Sequence, residues 1–283
     1  MSIESLIRFG PAGIPIQCKG TSTLDGVRCC AELGLQAMEM QFVRGVRMKE
    51  EQAAEIKKAA TELDMSLSSH APYFINLCSN KEETIKNSFK YIYDAARMTY
   101  LAGGSITAIH PGYYQELSKE EAYKIAKKRF EEIAEKLKQE KIKCFLGAEN
   151  VGKKSQFGGL EEVLRLANEI DLIKPVIDCS HLVARQDFPL KTELDYQKLF
   201  ALLEKQLGDY VRHFHFQFQE VNYTDKGERN HLALGTNNEP PYKPLIKVLA
   251  ENGYSGTIIC ESPKQEFDAL KMQEEFYRLR KKL

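Results

Sequence analysis

Residues 106–149 read ITAIHPGYYQELSKEEAYKIAKKRFEEIAEKLKQEKIKCFLGAE, and this stretch decides the fold. A short apolar run (Ile106–His110) is followed by a long amphipathic segment (Lys119–Glu140) and then by a second short run (Lys143–Glu149). Short runs of this kind predict buried strands, and a 3.6-residue periodicity predicts a helix. Strand, helix and strand in this order are typical of a βα unit in a parallel sheet.

The same alternation continues in both directions along the chain. It predicts eight strands, at Leu6–Phe9, Ala37–Phe42, Ser66–His70, Ile106–His110, Lys143–Glu149, Pro175–Asp178, Val211–His215 and Thr257–Glu261. Helical patterns cover Glu50–Leu63, Glu82–Leu101, Lys119–Glu140, Leu160–Glu169, Tyr196–Lys205 and Lys264–Lys282. Eight units predict a single (β/α)8 TIM barrel with one domain over residues 1–283. An open doubly wound sheet is the alternative, but Gly10–Pro15 is not the glycine-rich phosphate turn that such a sheet usually carries.

The composition excludes several classes of protein. Hydrophobic residues make up 43% of the 283 residues and charged residues 28%, and no run approaches the roughly 18 to 20 apolar residues of a membrane span. Lys plus Arg and Asp plus Glu number 40 each, so a nucleic-acid partner would need a local basic surface. Seven cysteines without a CxxC motif favour neither a disulfide framework nor a thiolate zinc site. The first residues show no signal-peptide pattern, so a cytoplasmic location is expected.

Residue types that bind metals stand at the ends of the predicted strands. They are His70, His110, Glu149, Asp178, His215 and Glu261. The carboxyl ends of barrel strands meet at one mouth, so these side chains should line one pocket. Three carboxylates in one pocket repel one another unless cations are bound, and imidazole with carboxylate suits zinc or manganese. His181 and His231 extend the set, whereas strand alternation turns His213 away and predicts a structural role for it.

Two further segments are unusual for connections in a barrel. The connection 217–241 is long, which indicates a functional segment. Residues 70–77 read HAPYFINL, an aromatic and apolar run at the predicted mouth. Packing against the rim and stacking on a substrate are both open for this run.

In these motifs the chain resembles the endonuclease IV family, metal-dependent abasic-site endonucleases of the xylose-isomerase-like TIM barrels. The resemblance rests on HAPYFINL at 70–77, IHPG at 109–112, GAENVGKKSQFG at 147–158, IDCSH at 177–181, HFQ at 215–217, NHLALG at 230–235 and ICES at 259–262. It implies three zinc ions, held by His70, His110 and Glu149, by Glu149, Asp178, His215 and Glu261, and by a set that includes His181 and His231. It further implies that Glu149 and Glu261 position the metals and the nucleophile, and that Tyr73 packs near an extruded abasic nucleotide.

Two departures from the family pattern concern arginines. The family has Asp two residues before the loop histidine, where this chain has Arg229, which cannot bind a cation. The third metal then either uses Glu228 through a shifted loop or is weak or missing. Arg229 itself is interpreted as a clamp on a phosphate or a sugar. Arg44 and Arg47 are not clean matches to the DNA-penetrating arginine of the family, so neither is assigned that role.

The sequence therefore predicts an endonuclease that cleaves DNA 5′ to an abasic site, with two or three zinc ions and manganese possible in one site. Its partner would be duplex DNA with abasic sites, and no membrane or obligate protein partner is implied. A sugar isomerase or epimerase of the same superfamily is the alternative, because Glu149, Asp178, His215 and Glu261 also resemble the metal site of those enzymes. The third hypothesis is a lesion-binding protein that has lost catalysis. The additional histidines favour the nuclease.

Overall fold

Eight parallel strands form a barrel in the computed structural model, which describes residues 6–18 and 20–282. The barrel strands are, in chain order, Ile7–Pro11, Ala37–Gln41, Ser66–His70, Ile106–Ile109, Phe145–Glu149, Ile173–Asp178, Phe214–Phe218 and Gly256–Cys260. Each strand pairs with its predecessor or successor in this series, and the eighth pairs with the first. The predicted TIM barrel is thus confirmed. Residues 1–5, on which the expectation of no signal peptide partly rests, lie outside the described part.

The barrel closes between its first two strands. Gln36 N–H donates to the Phe9 carbonyl at 3.1 Å, and Gly13 N–H donates to the Glu39 carbonyl at 2.8 Å. A Cβ on Gly10 would lie 1.9 Å from the carbonyl oxygen of Ala37, so the close approach of these strands requires glycine there. Closure leaves the first and second strands without an open edge.

Nine α-helices surround the barrel in the described residues. They are α1 Thr23–Glu32, α2 Glu50–Glu62, α3 Glu82–Leu101, α4 Lys119–Gln139, α5 Leu160–Glu169, α6 Cys179–Arg185, α7 Glu193–Leu207, α8 Tyr242–Glu251 and α9 Glu266–Arg280. Their apolar faces join the strands in one continuous core. Ser118 caps α4 by accepting from Glu121 N–H, and the Glu121 carboxylate accepts from Ser118 N–H, as a capping box requires. No helix in the described part of the chain is both long and apolar enough to cross a membrane.

The seventh strand begins three residues later than the sequence predicts, at Phe214–Phe218 instead of Val211–His215. Residues Gly208–Arg212 form a 3-10 turn after α7, and the buried Tyr210 hydroxyl holds this turn by donating to the Pro175 carbonyl at 2.8 Å. The strand therefore begins later. His215 is its second residue instead of its last, and His213 lies before it, exposed to solvent.

The long connection 217–241 is ordered as a hairpin on the barrel rim, Glu220–Thr224 paired with Gly227–Leu232. A second pair, Gly112–Tyr113 with Gln156–Phe157, lies on the rim as well. The fully buried Glu220 carboxylate fixes the return of the hairpin to the barrel. It accepts hydrogen bonds from the backbone N–H groups of Gly235, Thr236, Asn237 and Asn238.

Candidate metal centre

A first group of ligand-type side chains joins the third, fourth and fifth barrel strands. The donor atoms of His70, His110 and Glu149 all lie within 4.8 Å of one another. Glu149 is fully buried, with Oε2 3.2 Å from His70 Nε2 and Oε1 2.9 Å from His110 Nε2. His70 from the end of the third strand and His110 just after the fourth thus meet at the Glu149 carboxylate, which ends the fifth. Such a meeting is expected for the carboxyl ends of parallel strands.

A second group lies where the sixth strand passes into α6. Asp178 ends the strand, His181 lies in the first turn of the helix, and His231 comes from the rim hairpin, with donor atoms within 4.8 Å of one another. Glu228 lies between the two histidines: its Oε2 is 3.1 Å from His181 Nε2, and its Oε1 is 3.3 Å from His231 Nε2. His181 Nδ1 is also 3.2 Å from Glu149 Oε1, which links the two groups.

Glu228, and not Arg229, faces this second group. The hairpin shifts register between Asn222 and Tyr223, and Glu228 N–H donates to the Gly152 carbonyl at 3.1 Å. A Cβ on Gly152 would lie 2.6 Å from Glu228 Cβ, so glycine at this position makes room for the carboxylate. The Arg229 residue is exposed, and its side chain makes no hydrogen bond or ion pair with any described residue. The shifted loop that the sequence left as one option is the arrangement observed.

The carboxylates of the two groups raise the pKa values of neighbouring imidazoles. Burial alone would lower the pKa of His70, but its hydrogen bond to Glu149 overrides this effect and raises the pKa to about 9. Burial opposes protonation of His231 in the same way, yet Glu228 raises the pKa of that imidazole to about 9. Burial would raise the pKa of Glu149, but the neighbouring imidazoles, His110 first, hold it well below its ordinary value. Both groups therefore favour a bound positive charge.

The orientation of three imidazoles fits divalent metal ions. The Nδ1 atoms of His70, His181 and His231 lie 2.7, 2.9 and 3.2 Å from the backbone carbonyls of Ala71, Asn150 and Glu261, respectively. A carbonyl only accepts, so Nδ1 carries the proton in the neutral ring and Nε2 is free to bind a metal. Ligands of a tetrahedral zinc ion lie about 3.4 Å from one another, close to the nitrogen–oxygen distances found here. Both groups thus fit the metals that the fold family implies.

The structure does not bring all predicted ligands into these two groups. In the described residues, neither group includes His215 or Glu261. His215 lies deeper in the barrel, with Nε2 3.3 Å from Glu39 Oε2. Glu261 lies at the mouth, where its Oε1 accepts from Gln217 Nε2 at 3.0 Å. The displacement of His215 follows directly from the later start of the seventh strand, because inward-facing residues of a strand alternate and rise along it.

Tyr73 stands at the mouth beside the first group. Its ring centroid is 4.8 Å from that of His70 and 5.3 Å from that of His110, and 47% of the residue is exposed. One side of the ring therefore packs on the two histidines of the first group, while the rest is open to solvent. Phe74, its neighbour, is more exposed and packs against Tyr91.

Three buried polar residues of the site were not found from the sequence. Glu39 on the second strand is fully buried in the barrel, and Gln217 and Gln219 face the interior from the end of the seventh strand. Gln219 Nε2 donates to Asp178 Oδ2 at 2.7 Å. The charged residue inside the apolar strand AMEMQ was a usable signal for Glu39. The sequence contained no comparable signal for the two glutamines, because the predicted seventh strand ended before them.

Residues 27–282 match the family described as xylose isomerase-like TIM barrel. The chain belongs to this family. An uncharacterized protein of Methanocaldococcus jannaschii is 36% identical to the chain over 271 residues, which are 95% of this chain and 97% of that protein.

Two solved structures whose names refer to different activities resemble this xylose isomerase-like barrel equally well. Endonuclease IV from Thermus thermophilus superposes with a TM-score of 0.71 at 18% identity, over 98% of this chain and 100% of that one. A D-tagatose 3-epimerase-like protein superposes with a TM-score of 0.70 at 22% identity, over 92% and 95%. At such identities the similarity establishes the fold and does not select an activity.

Proposed function

We propose that this protein is a metal-dependent phosphodiester hydrolase that cleaves DNA 5′ to abasic sites. The supporting observation is the pair of histidine–carboxylate groups that meet at Glu149, each with imidazoles turned by backbone carbonyls to present Nε2. Two adjacent cation positions suit displacement at phosphorus, where one ion faces the attacking oxygen and the other the leaving oxygen.

The same observation speaks against the alternative of a sugar epimerase. The resemblance gives that class a single site built from Glu149, Asp178, Glu261 and a strand histidine. Here His215 pairs with Glu39 instead, and Gln217 approaches Glu261, so this quartet, which the nuclease family also uses for one of its ions, is not assembled. His110 and His181, which only the nuclease hypothesis uses, both lie in the two groups described above.

A local basic surface next to the second group supports an anionic polymer as substrate. The loop after the fifth strand bridges to the hairpin at Lys153 and Gly227, and Lys154 N–H donates to the Lys226 carbonyl. This pairing brings the exposed Lys153, Lys154 and Lys226 together, and the exposed Arg229 follows three residues after Lys226 in the same hairpin. Phosphates bind to such clusters even when the whole protein has no net charge.

Individual residues then have distinct roles in the proposed reaction. Bound metals would supply a nucleophilic hydroxide near neutral pH and neutralise charge on the phosphate. Glu149 would bridge the two groups, and Glu261 would orient the nucleophile from the mouth of the barrel. Tyr73 would pack on the exposed sugar of the abasic site, and Arg229 would bind a phosphate of the same strand.

Incision of a labelled duplex with one tetrahydrofuran abasic analogue tests the proposal. With Zn²⁺ or Mn²⁺, we expect a single cut 5′ to the analogue that leaves a 3′-hydroxyl. Glu261→Gln should lower the rate by about 100-fold or more, because it removes a charge at the reacting centre. The matched control is Glu251→Gln, which makes the same change at an exposed position of α8. No cut under any divalent metal, together with epimerisation of a ketohexose, would establish the alternative function instead.

A further inference from the structure

The quartet that the resemblance assigns to a second zinc ion is not assembled in this chain. Its imidazole, His215, lies one inward position below the strand end and contacts Glu39. The inward position above it is Gln217, which lies level with Asp178 in the pairing of the sixth and seventh strands. An amide therefore stands where the quartet needs an imidazole.

The amide of Gln217 is held in one orientation. Its Nε2 donates to Glu261 Oε1 at 3.0 Å and to Glu39 Oε1 at 3.3 Å. Both contacts are made by Nε2, so the NH2 side of the amide faces the two carboxyl groups and Oε1 faces away from them. The N–H group thus lies beside Glu261 at the position where a cation bound by the quartet would lie.

Glu39 secures this arrangement from below. It is fully buried and accepts from four side chains, namely Ser68, Gln41, His215 and Gln217. These four donors satisfy the hydrogen-bonding capacity of the buried carboxylate without a metal ion. Loss of Gln217 would leave Glu39 and Glu261 facing each other without the donor between them.

We infer that this chain binds two metal ions and not three, and that the Gln217 amide, held between Glu39 and Glu261, replaces the middle ion of the quartet. The inference rests on the proposed metal centre but not on its substrate. The competing arrangement is a third cation on Gln217 Oε1, which is buried without a hydrogen-bond partner among the described residues. Counting ions per chain separates the two arrangements.

The experiment measures zinc by elemental analysis after equilibrium dialysis of metal-depleted protein against a small excess of Zn²⁺. We expect two ions per chain in the wild type. Gln217→His should raise the count to three, because an imidazole then completes a set with Glu149, Asp178 and Glu261. The matched control is Gln41→His, since Gln41 also donates to Glu39, at 3.1 Å, but does not contact Glu261. Its count should stay at two.

Three tightly bound ions in the wild type would overturn the inference and leave the proposed nuclease intact. No bound ions would instead remove the metal centre on which both proposals depend. A folded Gln217→His variant that still binds two ions would refute the role of Gln217. If the imidazole prevents folding, Gln217→Glu offers a ligand of almost the same volume, and the same gain of one ion is expected.

Discussion

Glu149 illustrates how one residue can organise a whole site. Its two oxygens contact His70 and His110 separately, and Oε1 also lies 3.2 Å from His181. A fully buried carboxylate without such partners would be protonated, but here the imidazoles keep its pKa low. The charge of the centre therefore depends on the geometry of three strand ends.

Tyr73→Ala should weaken binding of an abasic duplex by the value of one stacking contact, about 1 to 3 kcal/mol. The reason is that the Tyr73 ring packs on His70 and His110 and exposes its remaining surface at the mouth. Fluorescence anisotropy with a labelled duplex measures the change. Phe74→Ala is the control, since Phe74 packs against Tyr91 instead. Equal losses in both variants would assign Tyr73 to rim packing.

Arg229→Asp should leave metal content unchanged and weaken DNA binding. Glu228 already provides the carboxylate between His181 and His231, so a second carboxylate has no ligand position to fill. Loss of one phosphate contact should reduce the slope of log affinity against log salt by about one. Arg212→Asp makes the same charge change next to the opposite end of the barrel. Higher metal content with faster incision in Arg229→Asp would refute the clamp.

Among the elements, the rim hairpin depends on the loop after the fifth strand. Gly152→Ala should weaken metal binding at the second group by about tenfold, because the added methyl lies where Glu228 Cβ now packs. Titration with Zn²⁺ by calorimetry measures this loss at one class of sites only. Gly253→Ala is a suitable control, since its added methyl meets only Arg212 at 3.7 Å. Unchanged zinc affinity in Gly152→Ala would show that Glu228 is not a ligand.

The sequence predicted most elements because each carries its own periodicity. The third strand and the helices Glu82–Leu101 and Leu160–Glu169 have the predicted bounds, and α4 differs by one residue. The seventh strand failed because Val211 and Phe214 are both apolar and buried, so hydrophobicity alone did not separate the 3-10 turn from the strand. A tertiary hydrogen bond from Tyr210 decides where the strand begins.

The candidate site was predictable only in part for a related reason. His70, His110 and Glu149 were expected together and are found together, because each follows directly from a correctly placed strand end. Glu228 depended on a register shift in the hairpin, which no local pattern specifies. Gln217 could be recognised as a site residue only from the structure, in which the seventh strand begins three residues later than predicted.

At the scale of the whole molecule, the metal-free protein should lose stability as pH rises from about 6.5 to about 9. Against the effect of burial, Glu149 and Glu228 raise the pKa of His70 and His231 from 6.5 to about 9. Burial first, then repulsion by Glu149 and Glu39, raises the pKa of Glu261 from 4.5 to about 8. All three groups bind protons more tightly in the folded state, so their stabilising effect disappears as the protons leave.

Urea unfolding in the presence of a chelator, at pH 6.5, 8 and 9, measures this trend in the free energy of unfolding. The zinc-loaded protein is the control and should show the opposite trend, because zinc binds deprotonated imidazoles more readily at higher pH. A metal-free protein whose stability stays constant or rises over this range would contradict the assigned pairs.

The anchoring of the hairpin return by Glu220 has a consequence for the kinetics of binding. Four backbone N–H groups of residues 235–238 converge on this one buried carboxylate, so the segment next to His231 is already immobilised before a substrate arrives. Ordering of a mobile segment slows association and costs conformational entropy at the moment of encounter. Here the hairpin needs no such rearrangement, so the rate at which the protein associates with DNA should be set by diffusion and electrostatic attraction. Discrimination between DNA sites should then appear in the dissociation rate.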